Sequence, residues 1–234
     1  MTAAQTPSTA LTIGMTTAPR RQPTFERSIA SLRETGFNEE VHVFAEPETF
    51  ATVPKLPRTH LHVNEKKQGC FGNWKTTLLY LLSNTKTPWL MIVQDDAVWA
   101  PGAAVVLRTM MLDPRAPQSG FLSPYTSGSR TVVTKDFVDG WNETRAGWQF
   151  WGALALCMNR ASAEQLTKHS RFVKHWDSKA VDAVVAASMI DMRRPTYVHV
   201  PSLVDHIGVT STIGRDREAA AGRRGYRFGK AKTS

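Results

Sequence analysis

Cysteine and long apolar runs are scarce in this chain, and acidic residues are outnumbered by basic ones. Of its 234 residues only Cys70 and Cys157 are cysteines. Two are too few for a disulfide framework and lack the close spacing of a zinc site, so reduced thiols in an intracellular protein are expected. No apolar stretch reaches the roughly 18 residues of a membrane span, and Met1 to Ala10 has neither the charged nor the apolar part of a secretion signal. A cytoplasmic protein without a membrane segment is the expectation. Asp and Glu number 20 against 29 Lys and Arg, a net charge of +9. That balance favours phosphates or polyanions as partners. Internal repeats are missing too, which excludes a solenoid.

What is present is an ordinary core composition, 41% hydrophobic, arranged in alternating strands and helices. Leu11 to Thr16 reads as a first strand, followed by the loop Thr17-Ala18-Pro19-Arg20-Arg21 and a helix over Thr24 to Thr35 that ends at Gly36, a natural left-handed cap. Val41 to Ala45 is a second strand. Pro47, Pro54 and Pro57 mark a connection to Leu61-His62-Val63, and Gly69 and Gly72 precede a helix from Asn73 to Leu82. Leu90 to Val93 is a short continuous apolar run, the pattern of a strand buried on both faces. The first hundred residues thus predict β-α-β-β-α-β, most of a parallel or mixed sheet with helices on its faces. Further on, strands are expected over Gly120 to Pro124, Thr131 to Val133, somewhere in Trp148 to Met158, and over Thr196 to Val200. Helices are expected over Ala161 to Lys168 and Lys179 to Met189. The division expected is a disordered start over 1–10, one α/β domain over 11–214 with a nucleotide-binding half (11–101) and an acceptor half (102–214), and a basic flexible tail over 215–234.

Four features bear on chemistry. Asp95 and Asp96 end the buried strand, and ligands in open α/β sheets bind outside the carboxyl ends of strands. Carboxylate oxygens there suit Mg²⁺ or Mn²⁺, although Asp also ends strands simply for its own turn bonds. Thr16, Thr17 and Arg20 follow the first strand, where hydroxyls and a guanidinium can hold a nucleotide. Asp182 is either an ordinary solvated helix acid or, set as it is among Val181, Ala183, Val184 and Val185, a partly desolvated carboxylate with a raised pKa suited to a general base. His206, in Pro201-Ser202-Leu203-Val204-Asp205-His206-Ile207-Gly208, follows the last strand and is either a metal ligand beside Asp96 or a structural hydrogen-bonding group.

In order and spacing these pieces resemble the GT-A-fold glycosyltransferases, which move a sugar from a nucleotide diphosphate to an acceptor. Gln94-Asp95-Asp96 is similar to the Glu-Asp-Asp form of that family's metal motif, whose final aspartate is the ligand. The resemblance therefore implies Asp96 as metal ligand, Asp95 and Gln94 at the donor, and Glu46, at the second strand's end, near base or ribose. Gly69-Cys70-Phe71-Gly72-Asn73-Trp74-Lys75 is similar to the Gly/Asn-rich helix start that touches donor in many members, which implies Gly72, Asn73 and Lys75 as donor contacts. Helix N-termini favour anions. Asp182 falls where inverting members carry the base, and the Pro-Ser-Leu-X-X-His-X-Gly pattern implies His206 as a second metal ligand. Gln94 departs from the family by replacing an acid, so the metal site carries one negative charge fewer.

The resemblance implies a fold, a single Rossmann-like α/β domain with a central mixed sheet flanked by helices, and a reaction. That reaction is inverting, Mn²⁺- or Mg²⁺-dependent transfer from a nucleotide sugar, a UDP-sugar favoured, with Arg20, Arg215 and Arg217 adding positive charge. The net charge and the basic residues Arg223, Arg224, Arg227, Lys230 and Lys232 suit a polyanionic acceptor. The small phage enzymes that glycosylate hydroxymethylated pyrimidines in DNA are one such group, which would place the protein in a host cytoplasm. Trp141, Trp148, Phe150 and Trp151 could stack an extruded base there, or they could be core. A bacterial glycan or protein acceptor is the alternative, and a non-catalytic nucleotide- or nucleic-acid-binding module is the alternative of another class.

Overall fold

Two-sided burial of the strands organises the molecule. The computed structural model describes residues 8–20, 22–49, 53–127, 136–145, 147–174, 180–208 and 224–229. The expected Thr131 to Val133 strand lies outside them, as does Lys179.

Strands β1 (Leu11–Thr17), β2 (Val41–Ala45), β3 (Thr59–Val63) and β4 (Trp89–Gln94) pair in parallel, connected by helices α1 (Phe25–Glu34) and α2 (Gly69–Asn84). The short β5 (Ala97–Trp99), helix α3 (Ala103–Met111), β6 (Phe121–Ser123) and β7 (Gly140–Thr144) follow. After these come β8 (Ala155–Asn159), α4 (Arg160–Lys168), α5 (Ser170–Lys174), α6 (Val181–Asp191), β9 (Thr196–Val200) and β10 (Val204–His206). Eight strands form one sheet in the order β3-β2-β1-β4-β8-β6-β9-β7. Its first half is parallel; β8 runs antiparallel to β4 and β6, and β7 antiparallel to β9. This is the mixed α/β sheet with flanking helices that the sequence predicts.

β4 is its spine, and its alternation decides the two cores. Met91 and Val93 join Ile13, Met15, Ile29, Leu32, Leu107 and Met110 on the α1 and α3 face, while Leu90 and Ile92 join Trp74, Leu78, Leu81, Leu166, Val184 and Val185 on the α2, α4 and α6 face. Helices on both sides exclude water from every β4 side chain except Gln94. A continuous apolar run follows from that geometry. Gly36 takes φ 98° after α1, as a left-handed cap should.

Some boundaries differ from expectation. α2 begins at Gly69, so Gly69 and Gly72 lie inside its first turn rather than ahead of it. Only the end of the Trp148 to Met158 stretch is strand, because Gly147–Gln149 forms a 3₁₀ turn and the chain then crosses to β8. β7, α3, α5, β5 and β10 were not foreseen. The last two form a separate antiparallel pair, with Val204 opposite Trp99, Asp205 opposite Val98 and His206 opposite Ala97. Ile207 N–H then donates to the Asp96 carbonyl at 2.9 Å.

Candidate functional site

The β5–β10 pair delivers His206 to the acids. Because His206 is in register with Ala97, its Nε2 reaches Asp96 Oδ2 at 2.9 Å. Arg20 approaches from the β1 loop: Nε and Nη2 donate to Asp95 Oδ1 at 2.9 and 2.6 Å, and Nη1 meets Asp96 Oδ2 at 2.7 Å. Thr17 donates its hydroxyl to Asp95 Oδ2 at 2.6 Å. Both carboxylates are nearly sealed, at 2% and 1% exposure. Their environments separate them. Burial pushes Asp95 above its ordinary value, with Arg20 and Thr17 pulling against it. Burial pushes Asp96 the same way, but the His206 hydrogen bond and the Arg20 charge outweigh it and hold Asp96 below its ordinary value.

Backbone closeness shapes this corner. A β-carbon on Gly208 would lie 2.6 Å from Asp96 Oδ2, 2.8 Å from His206 Cε1 and 3.2 Å from Arg20 Nη1. Only a residue without a side chain lets the chain pass there.

His206 also lines a cleft of about 360 Å³, together with Gln94, Asp182, Trp151 and Phe150, whereas Asp95, Asp96 and Arg20 are not among its lining residues. Asp182 stands in the first turn of α6, and its two oxygens accept from Gly152 N–H at 3.1 Å and from Ala183 N–H at 3.0 Å. Burial raises its pKa, and those backbone donors only partly oppose the rise. Tyr125 also lines the cleft, and Trp151 is 38% exposed. Among the described lining residues there is no Lys or Arg.

Other expected donor contacts are engaged elsewhere. Asn73 is buried, donates to the carbonyls of Thr17 and Phe44 at 3.3 and 3.1 Å, and accepts from Asn64 at 3.0 Å. Both its N–H donors are thereby engaged in tying the ends of β1 and β2 together. Lys75 is engaged within the protein as well: its ammonium meets the Phe172 and Val173 carbonyls of α5 at 3.2 and 3.4 Å and lies over the Phe172 ring. Gly72 is buried in α2. Thr16 directs its hydroxyl to the Val93 carbonyl at 3.5 Å, and Glu46 accepts from Gln68 N–H at the α2 start through Oε2, at 2.9 Å. Glu46 Oε1 is buried without a hydrogen bond. Of the aromatic group, Phe150 is core and also lines the cleft, Trp141 packs beside the first core, and Trp151 lines the cleft partly exposed; the Trp148 side chain is outside the described set.

Arg215, Arg217, Arg223, Lys230 and Lys232 also lie outside the described residues. Arg224 and Arg227 are described, and each faces an acid: Arg224 meets Asp205 Oδ2 at 2.6 Å and Arg227 meets Asp139 at 2.8 Å. Gly225 N–H also donates to Asp205 Oδ1 at 2.7 Å. Sequence reasoning missed Asp205 as the residue that fastens this late segment beside His206. Its place between His206 and two apolar neighbours was the signal.

Among the described residues, no three or more His, Cys, Asp or Glu side chains are grouped to hold a metal by themselves. Two polar atoms at the corner are left without a partner. Asp96 Oδ1 and His206 Nδ1 are buried and without hydrogen bonds, on side chains already touching each other. A carboxylate and an imidazole together suit Mn²⁺ or Mg²⁺, ions that complete their shells with phosphate oxygens and water.

No family model and no curated protein sequence matches this chain. Among solved structures it is similar to GalNAc-T7, crystallised with UDP, GalNAc and Mn²⁺, with a TM-score of 0.60 and 11% identity over 83% of this chain and 43% of that one. The chain thus spans less than half the length of that relative in structure. No helix among the described residues is long and apolar enough to cross a membrane. At this identity the likeness concerns architecture alone: the eight-stranded mixed sheet with its flanking helices is similar in fold to that structure.

Proposed function

We propose that this protein is a metal-dependent, inverting glycosyltransferase that moves a sugar from a nucleotide diphosphate, a UDP-sugar favoured, to an acceptor hydroxyl. The observation that carries the reading is that one cleft is lined both by His206, which is bonded to Asp96, and by Asp182. Asp96 and His206 would hold Mn²⁺ or Mg²⁺, which when bound offsets the charge of the diphosphate leaving group. Arg20 adds a fixed positive charge beside it, with a fork suited to phosphate oxygens. Glu46 Oε1, buried and unbonded at the end of β2, accepts from a base or ribose donor group. Gln94 faces the cleft and contributes a neutral amide to the sugar.

Asp182 is the base. Its raised pKa makes it a better proton acceptor than an ordinary carboxylate, while the Gly152 and Ala183 amides hold it in one orientation. It takes the proton from the acceptor hydroxyl as that oxygen attacks the anomeric carbon, and attack opposite the leaving group inverts configuration. Trp151 offers a ring face to the acceptor. A hydroxymethylated pyrimidine in DNA fits the net charge of +9. A neutral glycan is the second reading, favoured by the absence of Lys and Arg among the described lining residues.

The test is hydrolysis of a UDP-sugar with and without Mn²⁺, followed by transfer. Asp96→Ala is expected to lower metal-dependent turnover by at least about 100-fold, and Asp182→Asn to leave UDP-sugar affinity within about 3-fold while turnover falls about 100-fold or more. Full turnover in either variant would sink the assignment.

A further inference from the structure

Asp95 and Asp96 bring two carboxylates into a nearly water-free corner, and charges so placed need opposite charge beside them. Arg20 supplies it to both at once. Its Nε and Nη2 lie 2.9 and 2.6 Å from Asp95 Oδ1, and its Nη1 lies 2.7 Å from Asp96 Oδ2, with the arginine side chain itself only 14% exposed. The Asp96 oxygen that Arg20 occupies is the one that also receives His206 Nε2, at 2.9 Å. Guanidinium and divalent cation are therefore drawn to the same carboxylate. At such separations two like charges repel strongly, even with the screening of a protein interior. The planar fork has a better destination when a diphosphate arrives, since paired phosphate oxygens match its geometry.

We propose that Arg20 is an internal counter-cation that competes with the divalent cation for Asp96 and passes to the donor's diphosphate, so that cation and diphosphate bind cooperatively. This rests on the reading of the site as a nucleotide-sugar site. Arg20 then keeps Asp95 and Asp96 from repelling one another before donor binds, and it couples metal loading to donor arrival. Lysine cannot do the same, because a single ammonium on a shorter reach does not span both acids.

The experiment is Mn²⁺ binding followed by electron paramagnetic resonance, with no turnover involved, for the wild type, Arg20→Gln and Arg20→Lys, with and without uridine diphosphate. Wild type is expected to bind Mn²⁺ weakly alone and about 10-fold more tightly with uridine diphosphate, a usual size for coupling between sites. Arg20→Gln is expected to bind Mn²⁺ alone about 10-fold more tightly than wild type and to lose most of the coupling. Arg20→Lys falls between the two, and it decides the matter if Arg20→Gln does not melt as a folded protein. Mn²⁺ affinity in the folded variants equal to or weaker than wild type, with wild type still binding Mn²⁺ and uridine diphosphate, overturns the competition alone. Wild type that binds neither overturns the nucleotide-sugar reading, and the competition with it.

Discussion

At Gly208 a single missing side chain makes the corner possible. The 2.6 Å approach of a built β-carbon to Asp96 Oδ2 leaves no room for alanine unless the carboxylate or the His206 ring moves. Overpacking of this kind costs about 1–3 kcal/mol. Gly208→Ala is expected to weaken Mn²⁺ binding and transfer by about 10-fold or more, as a titration beside an activity assay would reveal. Asn73 poses the opposite case. Its amide closes three hydrogen bonds inside the protein, so Asn73→Ala leaves the Thr17 and Phe44 carbonyls without their donor. Unmade buried bonds cost about 1–3 kcal/mol, a loss that thermal or urea unfolding reads directly. The residue type at Asn73 is visible in the sequence, but its direction is not, because that depends on how α2 packs against the ends of β1 and β2.

Among the elements, the β2–β3 edge carries an unusual load of imidazole. His42 Nδ1 and His62 Nε2 are 3.2 Å apart, and both rings lie against Tyr80 of α2, with His60 stacked on His42 and Glu40 bonded to His60. Burial first, and then the neighbouring imidazoles, lower the pKa of both His42 and His62 below the ordinary 6.5. The folded state thus binds fewer protons than the unfolded chain in that range. Stability is full above pH 6.5 and declines as pH falls from there through the lower folded-state values. The melting temperature is expected to drop between neutral and mildly acidic buffer. His62→Phe, which keeps a ring against Phe44 and Tyr80, should flatten that decline. An unchanged pH profile in that variant would count against the imidazoles as its source. The apolar runs of β1 and β4 make those strands legible, whereas β5 and β10, three residues each, carry too few positions for any period to register.

For the whole molecule, charge and cleft point at different partners. A net charge of +9 draws polyanions at long range, and duplex DNA is expected to bind with an affinity that falls by about 10-fold or more as salt rises from about 50 to 200 mM. A gel shift across that range decides it, and binding indifferent to salt would speak against phosphate tracking. The described cleft lining adds no cation of its own, so such attraction acts outside it. Composition, the buried β4 run and the acids at its end were fixed by local order, because a two-sided sheet writes itself as continuous apolar residues and strand ends are where acids meet ligands. The sequence by itself therefore determined the sheet class and the position of Asp95 and Asp96. Tertiary structure alone decided which groups meet them. His206 reaches Asp96 because β10 pairs with β5, Arg20 spans both acids because β1 lies beside β4, and Asp182 faces the same cleft because α6 begins against the Gly152 turn. Each meeting joins residues far apart in the chain, and such distances are closed by packing and register, which no local pattern encodes.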